Sequence, residues 1–99
     1  MTSSSVVVIA HVYCREDQVE NILPILQKLT EATRTESGCV KYELHQDLSD
    51  QTHFTFIEEW KNEEALQLHF QMEHFKQAGE QVKPFCAKPV EILKYKKLL

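Results

Sequence analysis

The chain has 99 residues, 15 acidic and 11 basic side chains, a formal net charge of −4 and an apolar content of 42%. That length supports one hydrophobic core and makes residues 1–99 a single domain, and a mildly acidic, well-mixed charge counts against nucleic acid as a partner. The apolar stretch Val6–Val12 is far shorter than the roughly 20 residues of a membrane span, and Met1-Thr2-Ser3-Ser4-Ser5 lacks the basic start of a secretion signal, so the expectation is a cytoplasmic protein without membrane contact.

Val6 to Cys14 is rich in β-branched residues and predicts a strand, closed by the polar break Arg15-Glu16-Asp17. Val19, Ile22, Leu23, Leu26, Leu29 and Thr33 then recur at spacings of three and four, the stripe of an amphipathic helix. Gly38 is placed to end that helix in a left-handed conformation, and Pro24 falls early in it. Cys39 to Gln46 and His53 to Trp60 alternate around the polar cluster Asp47 to Thr52, which describes an antiparallel hairpin. Asn62 is a cap for a second helix beginning Glu63-Glu64-Ala65, with both acids at its positive end, and a further helical piece runs from about Glu73 to Lys83. Pro84 and Pro89 bracket a connection to a last strand through Ile92 and Lys94. Lys94, Lys96 and Lys97 on it keep an exposed edge soluble. The three cysteines, Cys14, Cys39 and Cys86, are widely spaced without a CxxC pattern and read as small buried apolar residues. The order βαββαβ is that of an α+β, ferredoxin-like sheet with helices on one face.

The second face needs a cover. Val6, Val8, Ala10 and Val12 point one way and Val7, Ile9 and Tyr13 the other, so both faces of the first strand are apolar. A second copy of the chain, sheet against sheet, is the simplest cover, and a homodimer is expected.

Strand parity also gathers the candidate site. Phe54, Phe56, Glu58 and Trp60 share one face, so Glu58 lies between aromatic neighbours that would strip its hydration and raise its proton affinity, as a base working near neutrality requires. The competing reading pairs Glu58 with a Lys or His. Trp60 is either a flat wall for an aromatic substrate or a core residue, and Tyr42 either orients a substrate oxygen or packs with one hydrogen bond. His69 follows Ala65 and Leu66 on the stripe of the second helix and turns towards the sheet, where an imidazole can accept a phenolic proton. His69 and His74 are five residues apart, about 140° around a continuous helix, which argues against a shared metal. His74 is placed at the pocket rim, Phe75 as an anchor of the third helix, His11 as a candidate cavity residue, and His45 and His53 in solvent.

Thr33-Arg-Thr-Glu-Ser-Gly-Cys-Val-Lys-Tyr-Glu-Leu-His-Gln-Asp47, the Glu58-x-Trp60 pair, Ala65-Leu66 and the run His69-x-x-x-x-His74-Phe75 together resemble the antibiotic biosynthesis monooxygenase family, especially its small quinol-monooxygenase-like branch. The resemblance spans nearly the whole chain. It implies a dimeric α+β barrel of two ferredoxin-like sheets, a pocket in each subunit between sheet and helices, and O2 chemistry on a small aromatic substrate without flavin or metal. Heme-degrading relatives carry a histidine ligand where this chain has Gly79, which counts against heme. Relatives that isomerise a phosphorylated autoinducer-type sugar share the two histidines matching His69 and His74 but have Tyr in place of Trp60 and remain an alternative, as does a non-catalytic dimeric binding or stress-response module. The expected activity is a cofactor-independent monooxygenase converting an electron-rich phenol, quinol or polycyclic aromatic to a quinone. His69 and Glu58 are its candidate bases, and Trp60, Tyr42, His74, Phe56, Phe75 and His11 its candidate substrate contacts; no cofactor is expected.

Overall fold

The two periodicities of the sequence become a sheet and a helical layer. The structure, a computed structural model, describes residues 5–99. It comprises β1 (Val6–Tyr13), α1 (Val19–Thr33), β2 (Cys39–Asp47), β3 (Asp50–Trp60), α2 (Glu63–Gln71), α3 (Glu73–Val82) and β4 (Glu91–Lys96), with a 3-10 turn at Lys83–Phe85. The strands form one antiparallel sheet in the order β2-β3-β1-β4, which makes this a ferredoxin-like α+β fold. Val8, Ala10 and Val12 of β1 and Phe54, Phe56 and Trp60 of β3 meet Ile22, Leu26 and Leu29 of α1, Leu66 of α2, and Ala78 and Val82 of α3 in one core. No helix among the described residues is long and apolar enough to cross a membrane.

Several local expectations hold and others change. Asn62 caps α2 by accepting from the Ala65 N–H at 2.8 Å. Pro24, by contrast, lies in the second turn of α1, where it leaves the Glu20 carbonyl without its i+4 donor. The hairpin is tighter than predicted: only Leu48 and Ser49 separate β2 from β3, because Asp47 and Asp50 accept from the backbone N–H groups of Ser49 and Thr52 and close the turn locally. Gly38 does not end α1 in a left-handed conformation; no residue has positive φ among those described. The helix unwinds through i→i+3 bonds at Thr35 and Glu36, and Gly38 is required for a different reason. A Cβ there would stand 2.5 Å from Ala65 Cβ, so only glycine lets the loop after α1 dock on the start of α2.

The second face carries the apolar residues expected of it. Ile57, Ile9 and Leu93 lie in register across β3, β1 and β4, with Val7 opposite Tyr95; Leu93 and Tyr95 are 43% and 50% exposed. His11 belongs to this face and not to the cavity, because the alternation that turns Val8, Ala10 and Val12 to the helices turns residue 11 away. Its Nδ1 is hydrogen-bonded to His53 Nε2 at 2.9 Å, and His53 Nδ1 to Asp47 at 3.1 Å. His53 is therefore half-buried within β3, stacked on Tyr13 at 4.8 Å, and not a solvated loop residue; His45 is the exposed one. Cys14 is buried as expected, whereas Cys39 and Cys86 are only half-buried.

Candidate active site

Between the sheet and the helices lies a cavity of about 570 Å³, within the roughly 300–1,000 Å³ range of small-molecule sites. Its walls are apolar: Val8, Ala10, Val12, Leu26, Leu29 and Phe56 on the β1, α1 and β3 side, Phe70 and Phe75 from the helices beyond. Against them stand three polar side chains of the core, Tyr42, Glu58 and His69, while Lys83 and Lys88 come from the segment leading to β4.

Glu58 owes its position to the alternation of β3. It is 4% exposed, opposite Val8 on one side and Tyr42 on the other. Burial pushes its carboxyl up to about 7; the Trp60 indole N–H, donating to Oε1 at 2.9 Å, pulls the other way, and the negative charge of Glu36 adds to the rise. Tyr42 is 3% exposed, and burial, reinforced by the Glu58 charge, holds its hydroxyl as a neutral phenol. Thr33 Oγ1 lies close to it, buried, but meets no group at hydrogen-bond geometry among the described residues.

Trp60 does not line the cavity. It is fully buried behind Glu58 and packs on His69 with ring centroids 4.5 Å apart, so its place is that of a core residue holding the two polar groups. Phe56 and Phe75 do line the cavity, with Phe75 edge-on to His69 at 4.8 Å.

The histidines come together because the helix does not continue. Met72, at φ −69° and ψ 140°, ends α2 and starts α3 in extended geometry, so the 140° separation of a continuous helix does not apply. His69 Nδ1 and His74 Nε2 both reach one oxygen of Glu36, Oε2, at 2.8 and 2.6 Å. Glu36 sits in the loop after α1 that Gly38 docks on α2, and its side chain is 6% exposed. Sequence reasoning missed it: 33 residues separate it from His69, and nothing local distinguishes it from other acids at a helix end. His74 is confined to the Glu36 side of the cluster and does not line the cavity.

This arrangement sets the chemistry of His69. Burial lowers its proton affinity, opposed by the bond to Glu36. An ionised carboxylate only accepts, so the neutral imidazole carries its proton on Nδ1 and donates it to Glu36. Nε2 then holds the lone pair, and it makes no hydrogen bond among the described residues. The donor atoms of Glu36, His69 and His74 lie within 4.8 Å of one another, and two imidazoles with a carboxylate suit zinc or non-heme iron. The present spacing is that of direct hydrogen bonds, however, since ligands about a tetrahedral ion with bonds of roughly 2.0 Å stand about 3.3 Å apart.

Residues 5–81 match the family described as antibiotic biosynthesis monooxygenase. An uncharacterized protein of Synechocystis sp. is 34% identical over 91 residues, which cover 92% of this chain and 62% of that protein, so the chain spans less than two thirds of that relative. Among solved structures, a protein of Pseudomonas aeruginosa is 29% identical with a TM-score of 0.92, the match covering 100% of this chain and 99% of the other. The crystal structure of an antibiotic biosynthesis monooxygenase is 30% identical with a TM-score of 0.90, covering 95% of this chain and 99% of that one.

Proposed function

The chain belongs to the antibiotic biosynthesis monooxygenase family, and from that premise we propose that it is a cofactor-independent monooxygenase of the quinol-monooxygenase-like branch, acting on an electron-rich phenol or polycyclic aromatic. The observation that carries the reading is the buried Glu36–His69 hydrogen bond beside an apolar cavity, which leaves one unengaged imidazole nitrogen on a ring that lines that cavity. A base of this kind suits a phenolic proton, and dry walls suit an aromatic ring.

In the proposed reaction His69 Nε2 takes the phenolic proton and Glu36 steadies the imidazolium that forms. Phe56 and Phe75 hold the ring, and Tyr42 donates to a substrate oxygen. Trp60 and His74 act from behind, through Glu58 and Glu36 respectively, and His11 has no part. The phenolate passes one electron to dioxygen, and the aryloxyl radical and superoxide combine at a ring carbon that bears hydrogen. Protonation gives a hydroperoxide. Loss of the C–H proton with cleavage of the O–O bond then yields the quinone and water, so that one O2 supplies the new carbonyl oxygen and the water. Glu58, poised near neutrality, accepts or returns the proton of the second stage. The mainly apolar lining favours this over a phosphorylated sugar, the ammonium groups of the two lining lysines being turned to Glu80 (Lys83) and to the Tyr13 ring (Lys88). The apolar second face of the sheet supports a homodimer that closes the two sheets into a barrel.

The test is oxygen uptake. Protein treated with chelator should convert anthrone to anthraquinone above the spontaneous rate, consuming one O2 per turnover, and stop under anaerobic conditions. Turnover of a phosphorylated ketose without oxygen would favour the isomerase. Saturable binding of aromatic ligands without turnover would favour a binding module, and a rate that needed added iron, flavin or heme would overturn the cofactor-free mechanism.

A further inference from the structure

Two nucleophilic groups that the proposed reaction leaves idle meet at one end of the cavity, Cys86 in its wall and Cys14 in the core beside it. Cys14 follows β1 and Cys86 follows the 3-10 turn, and the two pair antiparallel across the sheet end. The backbone bonds that frame them run from Arg15 N to Phe85 O at 2.8 Å and from Ala87 N to Tyr13 O at 2.7 Å, whereas the N–H groups of Cys14 and Cys86 themselves go to Thr52 and Lys83. Bonds on either side of a pair and none within it define a non-hydrogen-bonded position, where Cα atoms are about 4.5 Å apart and the side chains are at their closest. A disulfide bridges Cα atoms roughly 4.4–6.8 Å apart. Paired residues share a face: Cys14 continues the Val8, Ala10, Val12 side into the core, and Cys86 lines the cavity.

We propose that Cys14 and Cys86 form a reversible dithiol–disulfide pair that a low-molecular-weight disulfide, such as glutathione disulfide, oxidises. Cys86 is half-buried and Cys14 is 3% exposed, so Cys86 reacts first. Its thiolate attacks one sulfur of the oxidant and expels one glutathione thiolate, leaving a mixed disulfide. The Cys14 thiolate then attacks the Cys86 sulfur and expels the second. The protein loses two protons and two electrons, and one oxidant disulfide becomes two thiols. Burial raises both thiols above their ordinary range, which makes the exchange slow. Cys39 has no such partner, since it lies opposite Trp60, and burial beside Glu36 and Glu58 pushes it up to about 11. The bond would tie the segment that supplies Lys83, Cys86, Lys88 and Val90 to the cavity wall covalently to β1, fixing one side of the site.

The experiment equilibrates the full chain with glutathione buffers of increasing oxidised fraction, quenches with acid, alkylates with iodoacetamide in denaturant and maps the peptides. The expected result is loss of two of the three alkylatable thiols, located at Cys14 and Cys86, without covalent dimer, reversed by dithiothreitol, and accompanied by a higher urea midpoint because the closed loop restricts the unfolded chain. Cys39→Ser should behave in the same way. Three alkylated cysteines in the most oxidising buffer, a glutathione adduct that persists on Cys86, or a bond involving Cys39 would each overturn the proposal. Because the wild-type chain supplies the primary readout, the outcome does not hang on whether a variant folds, and it is independent of enzymatic activity.

Discussion

Glu58 is a carboxylate whose proton affinity the fold raises, and the sign of its effect on stability follows. A group with a folded pKa near 7 and an unfolded value of 4.5 favours folding fully below pH 4.5, and that contribution is lost as pH rises through 7. The difference amounts to about 3 kcal/mol. Glu58→Gln keeps an acceptor for the Trp60 N–H and removes the titration. Its urea-derived stability relative to wild type should therefore rise between pH 5 and 8, and parallel curves would show that Glu58 titrates normally. His69 works in the opposite direction, since its lowered affinity costs stability as pH falls below about 6.5. Comparing each pH with the Glu58→Gln variant separates the two. In catalysis, His69→Ala should lower kcat on the order of a hundredfold or more; because the ring is fully buried and bonded to Glu36, the urea midpoint should also fall, and kcat measured on the fraction still folded separates the two effects. Glu36→Gln keeps an acceptor for the His69 Nδ1–H but removes the negative charge that supports the imidazolium, so the acid limb of its kcat/KM profile should move to lower pH while maximal turnover falls less than in His69→Ala. An unmoved limb would assign the base to another group.

At the scale of elements, the site depends on two junctions. The extended Met72 separates α2 from α3 and lets His69 and His74 converge. The contact of Gly38 with Ala65 brings in the loop that carries Glu36. Gly38→Ala would force a Cβ to 2.5 Å from that of Ala65, an overpacking that typically costs about 1–3 kcal/mol. It should also reduce turnover by displacing Glu36. The double variant Gly38→Ala/Ala65→Gly should recover most of the stability, measured by urea denaturation, and part of the rate. No recovery would mean that Gly38 serves something other than this close approach.

At the scale of the molecule, the single chain leaves its second sheet face uncovered by helices, and there Val7, Ile9, Ile57, Leu93 and Tyr95 form a continuous apolar stripe. The proposed dimer buries it. Sedimentation at micromolar concentration should give twice the 11.6 kDa chain mass. Leu93→Lys, a change at an exposed position of the single chain, should yield a folded monomer or a dimer whose dissociation becomes measurable. A wild-type chain that sediments as a folded monomer would remove the barrel.

The sequence by itself determined the elements, their order and which strand residues face the helices, because periods of two and of three to four are local properties read over ten or so residues. Those periods placed Phe56, Glu58 and Tyr42 on the cavity side, and they also held the information that His11 points away. The hydrophobic pattern likewise left the second face apolar. Only the tertiary structure decided that Trp60 lies behind the cavity and not in it, that Glu36 joins His69 and His74, and that Cys14 stands opposite Cys86. The physical reason is the same in each case. Those relations join residues far apart in the chain through a helix break, a loop docking that tolerates no Cβ, and a bridge at the sheet end, and each is set by packing between elements, on which no local period reports.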